Sequence, residues 1–163
     1  MLIGVVSDTH NNLKNIHKIV NIFNNHNVEL VIHTGDITNI KSLQCFSELK
    51  ASFTGVFGNN DLNEPGLKEL CKKLNFEFQN PPMILNLLGI KVGVFHEPDN
   101  IKCFLKKEES LSLIFHGHTH RFKHEKLGNK TIINPGESAG HVKGSNSIGL
   151  ISLPSLEFER IFF

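Results

Sequence analysis

Asp8, His10, Asp36, Asn59, His96, His118 and His120 offer two carboxylates, one amide oxygen and four imidazoles. Such a mixed nitrogen and oxygen set suits Mn, Ni, Fe, Zn or Co better than Ca. Seven donors exceed what one tetrahedral ion takes. If one carboxylate bridges, two divalent ions can each receive four protein ligands, and ion pairs about 3.5–4 Å apart carry hydrolytic and phosphoryl chemistry. Asp36 is the candidate bridge. In Asp8-Thr9-His10 and His118-Thr119-His120 the donors lie two residues apart, so in an extended segment each pair faces one site.

What must position these residues is legible in the apolar patterning. Leu2 to Val6 reads as a strand, and Leu13, Ile16, Ile19, Val20 and Phe23 recur at helical spacing. The unit repeats with Leu30 to Ile32 as strand, Ile40, Leu43, Phe46 and Leu49 as a helix face, and Phe53 to Phe57 as strand. Pro65 then precedes a helical pattern at Leu67, Leu70, Cys71 and Leu74. Crossovers of this kind imply parallel pairing. The second half reads as hairpins: Met83 to Leu87 against Ile90 to Phe95, two stretches about Gly128-Asn129, and Ser147 to Leu153 turning at Pro154-Ser155 into Leu156 to Phe163, with Leu111 to Phe115 a further apolar run. The expected fold class is α/β, a four-layer αββα sandwich with two mixed sheets, as a single domain over residues 1–163. Nearly every predicted strand is followed at once by one of the donors, and the carboxyl ends of strands in such sheets share one edge. Glycines before Asp36, Asn59 and His118 permit unusual backbone angles or close approach there.

The ordered motifs Asp8-x-His10, Gly35-Asp36, Gly58-Asn59-x-Asp61, lone His96 and Gly117-His118-x-His120 resemble those of the calcineurin-like metallophosphoesterases. Ile133-Asn134-Pro135-Gly136-Glu137 and the short length are similar to the small prokaryotic phosphodiesterase branch, related in fold to the retromer scaffold subunit. The resemblance implies that Asp8, His10, Asp36 and His120 hold one ion and Asp36, Asn59, His96 and His118 the other. It further implies phosphodiester hydrolysis by a metal-bridging hydroxide, with Asp36, Asn59, Asn60 and His118 in catalytic roles and a small phosphodiester or nucleotide as substrate. Many members carry His after the motif Asn, and this chain has Asn60, which cannot act as an acid. Leaving-group protonation then comes from water or another side chain, or the substrates are esters, such as aryl esters, that need little help. Asn60 is expected to give a hydrogen bond to a phosphate oxygen. A non-catalytic, metal-bound scaffold of the same fold and a nuclease are the alternatives.

Composition narrows the choice. Lys plus Arg is 17 against 16 for Asp plus Glu, a net charge of +1, so nucleic acid is not favoured as a partner. No apolar run reaches the roughly 18 residues of a membrane span, and the first residues lack a basic leader pattern. Three scattered cysteines, Cys45, Cys71 and Cys103, fit neither a disulfide framework nor a zinc site. The expected location is the cytoplasm. A neighbouring subunit could complete substrate recognition in a homo-oligomer. Other histidines read as bystanders: His33 and His116 as supporting or core residues, His17, His26, His124 and His141 as surface or helix-face residues. Asp61 reads as a helix cap or as a group orienting His10, Asn134 to Ser138 as a Pro-Gly turn in preference to a segment approaching the metal edge, and Lys102, Lys106 and Lys107 as a solvated helix face.

Overall fold

A computed structural model describes residues 1–99 and 101–163. The first half contains β1 (Leu2–Val6), α1 (Leu13–Asn25), β2 (Leu30–His33), α2 (Ile40–Cys45), β3 (Ser52–Val56), α3 (Leu67–Lys73) and β4 (Glu77–Gln79). The second contains β5 (Met83–Leu87), β6 (Ile90–Val94), α4 (Ile101–Leu105), β7 (Leu113–Phe115), β8 (Lys123–Leu127), β9 (Lys130–Asn134), β10 (Ser147–Ser152) and β11 (Glu157–Phe162). A six-stranded sheet has the order β11-β10-β1-β2-β3-β4 and a five-stranded sheet the order β5-β6-β7-β9-β8. Both are mixed: β1 to β4 run parallel while β10 and β11 pair antiparallel, and β6, β7 and β9 run parallel between antiparallel edges.

Three apolar layers hold the sheets and helices together, each explained by alternation along the strands. Val6 and Val31 face the helices, against Ile16, Ile19, Val20 and Phe23 of α1. Ile3, Val5 and Ile32 face the other way and meet Val92, Val94, Leu113 and Phe115 of the second sheet. Ile114 and Ile132, on the far side of that sheet, pack with Ile101 and Leu105 of α4. The layers are therefore helix, sheet, sheet, helix, as expected. α1 starts where Asn12 accepts the Asn15 amide at 3.1 Å, an N-cap that removes one orphan donor.

Two details differ from the sequence reading. The helix expected to run on to Leu49 is α-helical only through Cys45 and tightens into a 3-10 turn over Phe46–Glu48. Its apolar residues, Ile40, Leu43, Phe46 and Leu49, recur every third position, which is the period of the tighter helix. β4 was not foreseen, because Glu77-Phe78-Gln79 offers a single apolar residue to an alternation test.

Candidate active site

The donors gather at the carboxyl ends of strands from both sheets. Asp8 and His10 follow β1, Asp36 follows β2 and Asn59 follows β3, while His96 follows β6 and His118 and His120 follow β7. Asp36 stands between two groups: its Oδ2 lies 3.9 Å from His10 Nε2 and its Oδ1 lies 3.5 Å from His96 Nε2. On the His10 side, His120 Nε2 is 3.5 Å from both His10 Nε2 and Asp8 Oδ1. On the His96 side, Asn59 Oδ1 is 2.9 Å from His96 Nε2 and 3.1 Å from His118 Nδ1. All seven residues expected from the sequence thus meet, in two groups of four that share Asp36.

The backbone of this rim is strained. Asp8, His10, Asp36, His118 and His120 have φ between 44° and 65°, where side chains other than glycine are disfavoured. Each such residue costs on the order of 1–3 kcal/mol and persists only where its surroundings over-determine it. Those surroundings are visible: Asp8 N–H donates to the Gly35 carbonyl at 3.1 Å and His10 N–H to the Asp36 carbonyl at 2.9 Å. His118 N–H donates to the Asp8 carboxylate, locking a loop of one sheet to a loop of the other. Of the two glycines nearest Asp36, Gly35 takes φ 108°, while Gly58 is required by contact, since a Cβ there would strike the Asp36 carboxylate.

Asp61 caps no helix, and it reaches His10 only through Thr38, whose hydroxyl meets His10 Nδ1. Its carboxylate accepts the backbone N–H groups of Asp36, Gly58 and Thr38 at 2.7–2.8 Å, fixing the loop that presents Asp36. Burial pushes its carboxyl up from the usual value, and those N–H bonds pull it back. Asp8, fully buried, is likewise raised, burial outweighing the Ser7 hydroxyl that bonds it. The supporting histidines are core residues as expected. Complete burial drops His33 to about 3, and as a neutral ring it takes the Gly35 N–H on Nδ1 and gives Nε2–H to Thr9 Oγ1. Burial lowers His116 too.

These residues fit divalent ions. His96 gives Nδ1–H to the Thr34 carbonyl at 2.9 Å, so in the neutral ring Nε2 is an acceptor facing the Asn59 oxygen, another acceptor. Two acceptors 2.9 Å apart are spaced as two ligands of one ion are. His10 is held in the same manner, its Nδ1 against Thr38 Oγ1 at 3.1 Å, and burial favours its neutral, ligating form. Outer partners of this type fix the tautomer and the ring orientation of metal-binding histidines.

Three residues left out of the site on sequence grounds brace its rim. Asn134 donates to the Gly117 carbonyl and to Thr119 Oγ1, at 2.9 and 3.1 Å, and so holds the loop of His118 and His120. Glu137, fully buried, accepts the N–H groups of Gly140, His141 and Val142. That grip places His141, exposed as foreseen, against the site: its ring lies parallel to that of His120 at 5.1 Å, with the Nδ1 atoms 3.3 Å apart. Ring nitrogens of His10, His120 and His141 lie within 4.8 Å of one another. The remaining bystanders stay apart: His17 lies beside Glu48, His26 caps α1 and His124 packs on Phe158.

Parallel strands from two stacked sheets, delivering carboxylates, an amide and imidazoles to one rim, define a metal-dependent phosphoesterase architecture. Comparison with known proteins bears this out. Residues 1–155 match the calcineurin-like phosphoesterase superfamily domain, and the chain belongs to that superfamily. It is 34% identical to a phosphodiesterase of Methanocaldococcus jannaschii, over 99% of this chain and 98% of the relative. A solved archaeal phosphodiesterase superposes with a TM-score of 0.91 at 32% identity, covering all of both chains. Vps29 of Entamoeba histolytica, solved with zinc, shares the fold at a TM-score of 0.71 and 17% identity, over 99% of each chain.

Proposed function

We propose that the chain is a phosphodiesterase working with two divalent ions, and that one observation carries this reading: Asp36 turns one carboxylate oxygen to each of two donor groups. Asp8, His10 and His120 would hold the first ion, Asn59, His96 and His118 the second, with Asp36 common to both. Bound ions supply a hydroxide nucleophile at neutral pH and offset charge on the phosphate oxygens. The protein's own residues do the rest. Asp61 and Asn134 keep the loops in place, and the neutral imidazoles present lone pairs inward. Asn60 gives one amide hydrogen to Asp36 Oδ2 at 2.8 Å, and its second amide hydrogen is left for a phosphate oxygen of the substrate. No side chain at position 60 can protonate a leaving group, which favours esters that depart readily.

The near-neutral charge of the chain supports a small phosphodiester or nucleotide over a nucleic acid. Among the described residues no helix is long and apolar enough to cross a membrane. Cys45, Cys71 and Cys103 are all free, which supports a reducing, cytoplasmic setting. The test is to strip the protein with a chelator, reload it with Mn or Ni, and follow bis(4-nitrophenyl) phosphate hydrolysis against ions bound per chain. Hydrolysis should rise as the second ion binds. Protein that holds both ions and remains inert would be a scaffold instead.

A further inference from the structure

Beside Asn59 and His96 the rim opens into a cleft of about 200 Å³. Its walls are Phe57, Leu62, Pro81, Pro82, Phe95 and Phe104, drawn from the ends of β3 and β6, the turn before β5 and helix α4. Phe95 and Phe104 meet edge to face at 5.3 Å. Leu62, the residue after Asp61, is 47% exposed and belongs to none of the three apolar layers, so its placement contributes little to the core. The cleft lies directly beside Asn59 and His96, and its rim at Leu62 is apolar and open to water.

Size and charge say which occupant. Pockets for drug-sized ligands run to roughly 300–1,000 Å³, so this cleft takes a single ring rather than a whole nucleotide. Among the described lining residues the ionisable groups are His96 and Glu97, with no lysine or arginine. A second phosphate would find no cation there, and the hydrogen-bonding edge of a nucleobase would find little beyond Asn59 and Glu97. Aromatic walls favour a planar apolar ring, packed face or edge on.

We propose that this cleft is a substrate subsite that takes one ester substituent, a single planar apolar ring, while the phosphate lies over Asn59 and His96. The inference rests on the two-ion reading above and narrows its substrate class to aryl or aromatic-alkyl phosphodiesters. It agrees with Asn60, since aryl esters leave without an acid.

The experiment compares phenylphosphonate, methylphosphonate and thymidine 5′-monophosphate by calorimetry on protein loaded with Mn, ion content being assayed on the same samples. Neither phosphonate has a leaving group, so binding is read apart from chemistry. Phenylphosphonate should bind at least about tenfold tighter than methylphosphonate, the effect of removing one ring from water. Leu62→Ser, at an exposed position, and Phe104→Ala should each reduce that ratio to within about threefold, methylphosphonate serving as the internal reference. Equal affinities, or a ratio that survives both substitutions, would overturn the subsite. Tighter binding of thymidine monophosphate than of phenylphosphonate would put a nucleobase there and overturn the apolar ring. If the ions load and neither phosphonate binds, the phosphoesterase reading fails and the subsite with it, an outcome distinct from phosphonates that bind without preference.

Discussion

The two halves of the rim differ in charge and in burial, and the difference shows what each is built to do. The half formed by Asp8, His10, Asp36 and His120 has two carboxylates, both nearly fully buried. The half formed by Asp36, Asn59, His96 and His118 has one carboxylate, shared, and an amide, and its Asn59 and His118 are exposed. An ion in the first half meets two formal negative charges within a low-dielectric wall, while one in the second meets a single charge and stands open to solvent. On the two-ion reading proposed above, the first position would be a holding site, and the second, beside the apolar cleft, would face the substrate. Strain follows the same division. Four of the five left-handed donors, Asp8, His10, Asp36 and His120, belong to the first half, and of the remaining donors only His118 is in that conformation.

The largest effect should come from the residue the halves share. Asp36→Asn leaves the Asp61 contacts to the loop backbone available, so the fold should persist, while both ions weaken together and hydrolysis falls by about 10⁴-fold or more. Metal analysis beside rate measurement checks this. Retention of two tightly held ions in the variant would break the comparison, because the halves would then be independent.

A buried histidine makes the first half sensitive to acid. His33 titrates near 3 in the fold because burial opposes its charge, against 6.5 when exposed. A depressed histidine contributes its stability in full above about 6.5 and loses it as pH falls toward 3, since only the unfolded chain takes up the proton. Between pH 6.5 and 4.5 the metal-free protein should lose about 2 kcal/mol on this account. Asp8 and Asp61, raised by burial, oppose the trend as pH nears the ordinary carboxylate range. Denaturant unfolding at the two pH values checks the slope, and His33→Gln should flatten it even though that variant starts less stable.

Both the donors and the layers were legible in the sequence, for a common reason. Short apolar runs ending in Asp, Asn or His mark strand ends, and parallel topology brings strand ends to one edge whatever the separation in sequence. The braces were not legible. Asn134, Glu137 and His141 act through backbone N–H and carbonyl groups or through a neighbouring ring, contacts with no sequence periodicity. Asp61 likewise sits three residues ahead of nothing it could cap, and two of its three bonds reach across to Thr38 and Asp36. A pattern of types and spacings records which atoms do chemistry, and it records poorly what keeps them still.

Single substitutions within each half sharpen the contrast. Asp8→Asn removes one of two charges from the first ion alone, and its affinity should fall by about 100-fold, with the second ion changed much less. Asn59→Ala removes a neutral ligand from the second, and a loss of about tenfold confined to that ion is expected. Two-step metal titrations of the parent and both variants check the assignment. Equal weakening of both ions by either change would argue against separate halves.

The smallest effect tests the brace rather than the ligands. His141 meets His120 through Nδ1, leaving His120 Nε2 turned toward Asp8 and His10. If that contact fixes the tautomer and aim of His120, His141→Ala should weaken the first ion by roughly tenfold and leave the second nearly unchanged, the usual scale for an outer partner of a metal histidine. His141→Gln, which retains an acceptor, should recover most of the loss, while His141→Phe, which retains only the stacked ring, should not. Nitrogen NMR of the loaded protein gives a readout independent of affinity: the proton should sit on Nδ1 of His120 in the parent and in the Gln variant, and become mixed with Phe. Recovery by Phe and not by Gln would make the parallel rings, not the hydrogen bond, the source of the brace.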